Sequence, residues 1–113
     1  MPPTLWYNFV KGVMHMTRGT TPTLTFQLPF DADRLTKLSI AFSQDGDVVL
    51  EKDLDDVTAS KQEITLVLSE EDTLLLSSES SLYIQLRCGL GDDRMASDII
   101  KTSVGAILKE GVL

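Results

Sequence analysis

The chain has 113 residues, a length that supports one domain with a single core and is too short for two. The formal net charge of −7 argues against a nucleic-acid binder, because phosphate contacts need clustered Lys and Arg and the ten basic residues are scattered. No apolar run is long enough to span a bilayer, and the first residues lack the positive region and cleavage site of a signal peptide. We therefore expect synthesis in the cytoplasm and no membrane partner.

Residues 1–15 differ in character from the residues that follow them. They contain Trp6 and His15, the single Trp and the single His of the chain, and their apolar residues can form one stripe of a short amphipathic helix. Lys11-Gly12 can also be encoded by a purine-rich ribosome-binding sequence shortly before the codon for Met16. We therefore expect residues 1–15 to be a translated leader, with an N-terminal arm as the alternative, and residues 16–113 to form one domain.

Residues 23–50 predict three strands and one hairpin. Apolar and polar residues alternate over 24–28 and again over 38–42, which is typical of half-buried strands. Asp45-Gly46 lies between two such runs, and Gly accepts the positive φ that a twist-matched hairpin turn requires. Residues 48–50 are then predicted as the returning strand.

The second half of the chain predicts one short helix between further strands. Residues 53–62 indicate a polar connection, and the alternation over 64–68 indicates the next strand. Ser69 stands before three acidic residues and a run of Leu, so we predict a capped helical turn near 70–76. Strands are then expected over about 82–88, 94–97 and 99–108, with a hairpin loop at 89–93.

Together these elements predict an all-β fold. Six to seven short antiparallel strands with one helical turn near 70–76 are typical of an immunoglobulin-like β-sandwich, and a small barrel is the alternative. The single cysteine, Cys88, shares the parity of the apolar residues in its strand, so we expect a small buried hydrophobe and no disulfide within the chain.

The acidic residues do not predict a catalytic or metal site. Six of them concentrate around one hairpin, but their spacing does not match a calcium-binding loop, so we expect a solvated region. The neighbouring pairs Glu70-Glu71 and Asp92-Asp93 are explained by helix-start electrostatics and by turn chemistry. No Ser-His or Cys-His system is expected, and we predict no catalytic residue, cofactor or metal ligand. The six acidic residues are Asp45, Asp47, Glu51, Asp53, Asp55 and Asp56.

The stretch before the first strand is the candidate interaction site. Its residues are Arg18, Gly19, Thr20, Thr21 and Pro22. An extended segment beside an edge strand can contact or add to a partner's sheet, so these five residues are predicted as a contact arm. The alternative is a polar lead-in to the strand.

Four stretches together resemble a known group of proteins. They are MTRGTTPTLTFQLPFD, LSIAFSQDGDVVLEKDLDD, LSEEDTLLL and LYIQLRCGLGDDRMASDII, the last ending in a turn and the pair Ser97-Asp98. This order of motifs resembles small proteins encoded in the tail-gene regions of phages and prophages of Gram-positive bacteria. That group is similar in architecture to the N-terminal immunoglobulin-like domain of phage upper-baseplate proteins.

The resemblance implies a structural function. We expect a non-enzymatic phage or prophage protein associated with the tail or baseplate, found in the virion and acting through protein–protein packing. Its partners would be other phage structural proteins or further copies of itself. The alternative is a carbohydrate- or cell-surface-binding β-sandwich, which needs several exposed aromatic rings. A small hydrolase is the third class, disfavoured because the single histidine, His15, lies in the expected leader and because the acidic residues form no buried catalytic pair.

Overall fold

The computed structural model describes residues 16–113 in full and residues 10–11 by their backbone. The prediction of a leader or arm over 1–15 otherwise falls outside the described residues. The described part is mostly β, with one α-helix and two 3₁₀ helices. In chain order the elements are β1 (Val10–Lys11), β2 (Met16–Thr17), β3 (Thr23–Gln27), a 3₁₀ helix (Ala32–Arg34), β4 (Lys37–Gln44), β5 (Asp47–Asp53), a 3₁₀ helix (Leu54–Asp56), β6 (Val57–Ser60), β7 (Glu63–Val67), α1 (Glu70–Leu74), β8 (Leu82–Leu90), β9 (Asp93–Ala96), β10 (Ile100–Thr102) and β11 (Val104–Gly105).

The strands form two antiparallel sheets and one small parallel pair. The first sheet has the order β1-β3-β7-β6, and the second has the order β10-β8-β4-β5, with β9 pairing the far half of β8. β11 pairs with β2 in parallel, which differs from the all-antiparallel expectation. Eleven strands are described where six to seven were expected, and seven of the eleven have four or more residues.

Alternating side chains from both sheets form one hydrophobic core. Their period of two places every second residue of β3, β4, β7 and β8 in the interior, as the sequence predicts. Complete burial of one large apolar side chain contributes about 1.5–3 kcal/mol, so this core is the main source of stability. Its strand members are Met16, Leu24, Phe26, Leu38, Ile40, Phe42, Leu50, Ile64, Leu66, Leu82, Ile84, Leu86, Cys88 and Val104.

The predicted hairpin at Asp45-Gly46 is confirmed. Asp45 has φ of 53° and Gly46 has φ of 84°, and positive φ at both central residues defines the turn that matches strand twist. The register shifts between Phe42 and Ser43, which leaves Val49 of β5 as the extra residue of a bulge. Without the bulge, Val48 and Leu50 would face the same side of the sheet. With Val49 as the extra residue, Leu50 faces the core while Val48 is exposed.

Two predicted segments differ from the structure. The polar connection 53–62 contains strand β6, and the last predicted strand is divided into β10 and β11. β6 has no alternation to detect, because three of its four side chains are exposed and it is held by backbone pairing to β7. The division at Ser103 arises because β10 pairs with β8, whereas β11 pairs with β2.

Cys88 is buried in the core, as predicted. It is 1% exposed and forms no disulfide, and its burial raises the pKa of the thiol to about 12. A thiol with so high a pKa stays protonated at neutral pH, so it packs as a small apolar group and is a poor nucleophile. None of the helices in the described part of the chain is long and apolar enough to cross a membrane.

Candidate functional site

The candidate segment Arg18–Pro22 connects β2 to β3 and lies against α1. The backbone N–H of Thr20 donates to Thr73 Oγ1 at 3.1 Å, and Thr73 Oγ1 donates to the Thr20 carbonyl at 2.9 Å. Thr73 is fully buried, so this reciprocal pair satisfies the hydroxyl inside the protein. At the end of the segment, the Pro22 carbonyl accepts from Leu68 N–H at 3.0 Å.

Arg18 joins the end of α1 to the segment that follows β11. Its Nε donates to the Leu76 carbonyl at 2.7 Å and its Nη2 donates to the Leu74 carbonyl at 3.1 Å. Its Nη1 forms an ion pair with Glu110. The last carbonyls of a helix have no partner within the helix, so a guanidinium here supplies the missing donors. All three guanidinium nitrogens are therefore engaged within the fold.

The remaining residues of the segment have different surroundings. Gly19 has φ of 72°, a backbone conformation that favours glycine, and a Cβ at this position would lie in tight contact, 3.1 Å from Ile107 Cδ1. Thr20 Oγ1 donates to the Thr17 carbonyl at 2.6 Å, whereas Thr21 is exposed. The structure thus gives most of these residues an internal role, and their contact with a partner stays a prediction.

The other end of α1 is fastened to β5. Ser69 and Asp72 form a capping box, in which Asp72 N–H donates to Ser69 Oγ and Ser69 N–H donates to Asp72 Oδ2, both at 3.0 Å. Lys52 Nζ lies 3.0 Å from the same carboxylate. Burial alone raises the pKa of Asp72, but the hydrogen bonds from Ser69 and Lys52 and the lysine charge outweigh it, so the net pKa is below 3.8. The carboxylate stays ionised at neutral pH and holds the helix start in place.

Sequence reasoning missed three buried polar residues that hold loops in place: Gln44, Thr73 and Ser97. Ser97 N–H donates to the Leu86 carbonyl at 2.8 Å, and Ser97 Oγ accepts from Leu86 N–H at 2.9 Å, so it completes β8 pairing between β9 and β10. Gln44 was detectable as a polar residue at an inward-facing position of β4. The sequence marks Ser97 only as part of the pair Ser97-Asp98, and its burial had no signal, because it lies in a segment without alternation.

The acidic residues at the end of β5 and in the following 3₁₀ helix have local structural roles. Asp53 Oδ1 accepts from Asp55 N–H and Asp56 Oδ2 accepts from Asp53 N–H, both at 2.9 Å, which caps the 3₁₀ helix Leu54–Asp56. Within residues 16–113, no three His, Cys, Asp or Glu side chains converge on a position that could hold a metal ion.

Comparison with known proteins assigns no family. Neither the scan against protein-family models nor the search of curated proteins finds a match.

Replacing Arg18 with Met is expected to destabilise the protein by about 1–3 kcal/mol, because two carbonyls and Glu110 lose a charged donor while the apolar stem is kept. Thermal unfolding followed by circular dichroism measures the change. Arg87→Met is the matched control, because Arg87 is exposed on β8 and surface substitutions change stability by less than about 0.5 kcal/mol. Equal melting temperatures for the two variants would show that Arg18 does not fasten α1.

Proposed function

We propose that the protein is a non-enzymatic structural or assembly protein of a phage or prophage, associated with the tail or baseplate. Its fold would be an immunoglobulin-like β-sandwich, and it would act by packing against other phage structural proteins or further copies of itself. The two antiparallel sheets with a shared core support the sandwich assignment.

One observation supports the proposal most directly. Residues of the motifs that resemble those of the phage tail-region proteins form the hydrogen bonds that hold separate segments of the fold together. Arg18 and Thr20 of the first motif bind Leu74 and Thr73 of α1, which is formed by the third motif. Ser97 of the last motif completes the pairing of β8 and donates to the Asp98 carbonyl at 2.9 Å. Because these residues hold the fold together, the resemblance supports an architecture shared with that group of phage proteins. The structural function is expected from that shared architecture.

The use of the buried polar groups also supports a packing role. Gln44, Thr73 and Ser97 each form hydrogen bonds with the backbone of another segment. Satisfied groups of this kind increase rigidity, and a rigid body is what an assembly subunit presents to its neighbours.

The carbohydrate-binding alternative has little support in the described part of the chain. Of the four aromatic residues within 16–113, Phe26, Phe30 and Phe42 are buried in the core. Tyr83 is 39% exposed on the outer face of β8. A sugar-binding platform usually stacks several rings against the ligand, so one half-exposed ring favours the packing function.

Peptide mass spectrometry on purified phage particles and tail assembly intermediates tests the proposal. The particles are induced from the strain that encodes the chain. Trypsin cleaves after Lys37 and after Lys52 and should therefore release residues 38–52 as one peptide. We expect this peptide at the abundance of known structural proteins in particles or intermediates. Its presence in the lysate together with its absence from both fractions would overturn the proposal.

A further inference from the structure

β6 is an edge strand of the first sheet, and the 3₁₀ helix Ala32–Arg34 lies near its C-terminal end, where Ala32 N–H donates to the Lys61 carbonyl at 2.7 Å. β6 ends the order of this sheet, and its pairing partner in the described part of the chain is β7. Ser60 and Glu63 flank the two-residue turn of the β6–β7 hairpin, so they form a hydrogen-bonded pair, as does every second pair along the ladder. The backbone groups of Val57 and Ala59 therefore point away from β7, towards the side on which no strand of the described residues pairs with β6.

The composition of β6 differs from that of the other edge strands. Exposed β5 carries Asp47, Glu51 and Asp53, β9 carries Asp93 and Arg94, and β10 carries Lys101. Charges on an edge strand discourage pairing with another chain. β6 has the sequence Val-Thr-Ala-Ser and no charge, and the side chains of residues 58–60 are exposed.

We infer that β6 pairs antiparallel with β6 of a second copy of this chain, joining two sheets into one. A two-fold axis perpendicular to the sheet must place one residue opposite its own copy. With Thr58 at that centre, Val57 of each copy lies opposite Ala59 of the other, and their outward N–H and C=O groups become hydrogen-bonded pairs.

The outer face of the sheet supports this centre. Thr25 lies opposite Thr65, and Thr65 lies opposite Thr58, so three threonines already form a row across β3, β7 and β6. Pairing about Thr58 extends the row to six threonines over two copies. Directly opposed threonines are favourable cross-strand neighbours.

The charges at the two ends of β6 are complementary in the same arrangement. Asp55 and Asp56 lie immediately before β6, and Lys61 lies immediately after it. Antiparallel pairing places Lys61 of each copy beside Asp55 and Asp56 of the other, twice per dimer. Such pairs select the register and the partner even where their net energy is small. They also offset part of the repulsion between two chains of net charge −7.

The inferred contact is a short strand pair, so a weak, concentration-dependent dimer is expected. Its biological meaning rests on the proposed packing function. Its test uses purified protein alone, so the dimer and the presence of the protein in phage particles can fail independently.

Sedimentation velocity from about 10 µM to 1 mM tests the inference, with dimerisation expected for the wild-type chain. Asp55→Lys and Lys61→Asp each place like charges opposite each other and should weaken the dimer by about tenfold or more. The double variant Asp55→Lys/Lys61→Asp restores opposite charges and should return the dissociation constant to within about threefold of wild type. Asp55 is an exposed residue, and Asp is tolerated at the positive φ of 54° found at Lys61.

Lys101→Asp on β10 is the control, because it changes the net charge as Lys61→Asp does but lies on the second sheet. It should leave the dimer unchanged, and circular dichroism confirms that each variant is folded. A wild-type chain that stays monomeric at the highest concentration overturns the inference. So does a dimer that the single reversals do not weaken, or one that the double reversal does not restore.

Discussion

Ile84→Asp is expected to abolish folding. Ile84 is 1% exposed on β8, where it lies opposite Phe42 of β4 on one side and Ile100 of β10 on the other. A carboxylate here has no partner in the apolar core. The free-energy cost of burying its charge is comparable to the whole free energy of unfolding of a domain, which is about 5–15 kcal/mol. Circular dichroism and solubility after expression measure the effect.

Tyr83→Asp is the matched control, since it places the same carboxylate one residue earlier on the same strand. Tyr83 faces outward and is 39% exposed, so this variant should fold with a native spectrum. Ile84→Val gives a measurable folded variant, with an expected loss of about 0.5–1.5 kcal/mol. Native-like unfolding of Ile84→Asp would show that β8 does not present Ile84 to the core.

Gln44→Leu is expected to destabilise the protein by about 2–4 kcal/mol, because buried polar groups lose their partners. Gln44 is 4% exposed, and its Nε2 donates to the carbonyls of Ser77 at 2.8 Å and Ser80 at 3.1 Å. Its Oε1 accepts from Ser77 N–H at 2.8 Å. One side chain therefore holds the loop between α1 and β8 against β4. Leucine has a similar size and can form none of these bonds.

Urea unfolding measures the loss, and hydrogen exchange at the Ser77 amide locates it, since this N–H should lose protection. Gln27→Leu is the control for the same substitution. Gln27 is half-buried on β3, and its Nε2 donates to the Gln62 carbonyl at the longer distance of 3.4 Å, so a change below about 1 kcal/mol is expected. A Gln44→Leu variant as stable as Gln27→Leu, with Ser77 still protected, would contradict the role assigned to Gln44.

Much of the fold could be predicted because the main strands carry their own pattern. β3, β4, β7 and β8 alternate between buried and exposed residues, and this alternation is visible without any knowledge of the neighbouring strand. β6 could not be predicted in this way. Most of its side chains are exposed, so it shows no alternation, and it is held in the sheet by backbone hydrogen bonds to β7.

Less of the candidate site could be predicted. The sequence predicts Arg18–Pro22 as a contact arm because an extended segment beside an edge strand can add to a partner's sheet. Its contacts with Thr73 and the carbonyls of α1 had no local signal. Outside this segment, Gln44 could have been detected as a buried hydrogen-bonding group, because it is a polar residue at an inward-facing position of β4.

The sequence by itself determined the parity of the main strands, the Asp45-Gly46 turn and the capped start of α1 at Ser69. Each depends on residues a few positions apart, where backbone conformation and side-chain preference act directly. Only the tertiary structure decided that Arg18 binds the end of α1, 56 positions away at Leu74, and that β11 pairs with β2. Such contacts arise when the core brings distant segments together, and a hydrogen bond between distant segments has no counterpart in local sequence patterns.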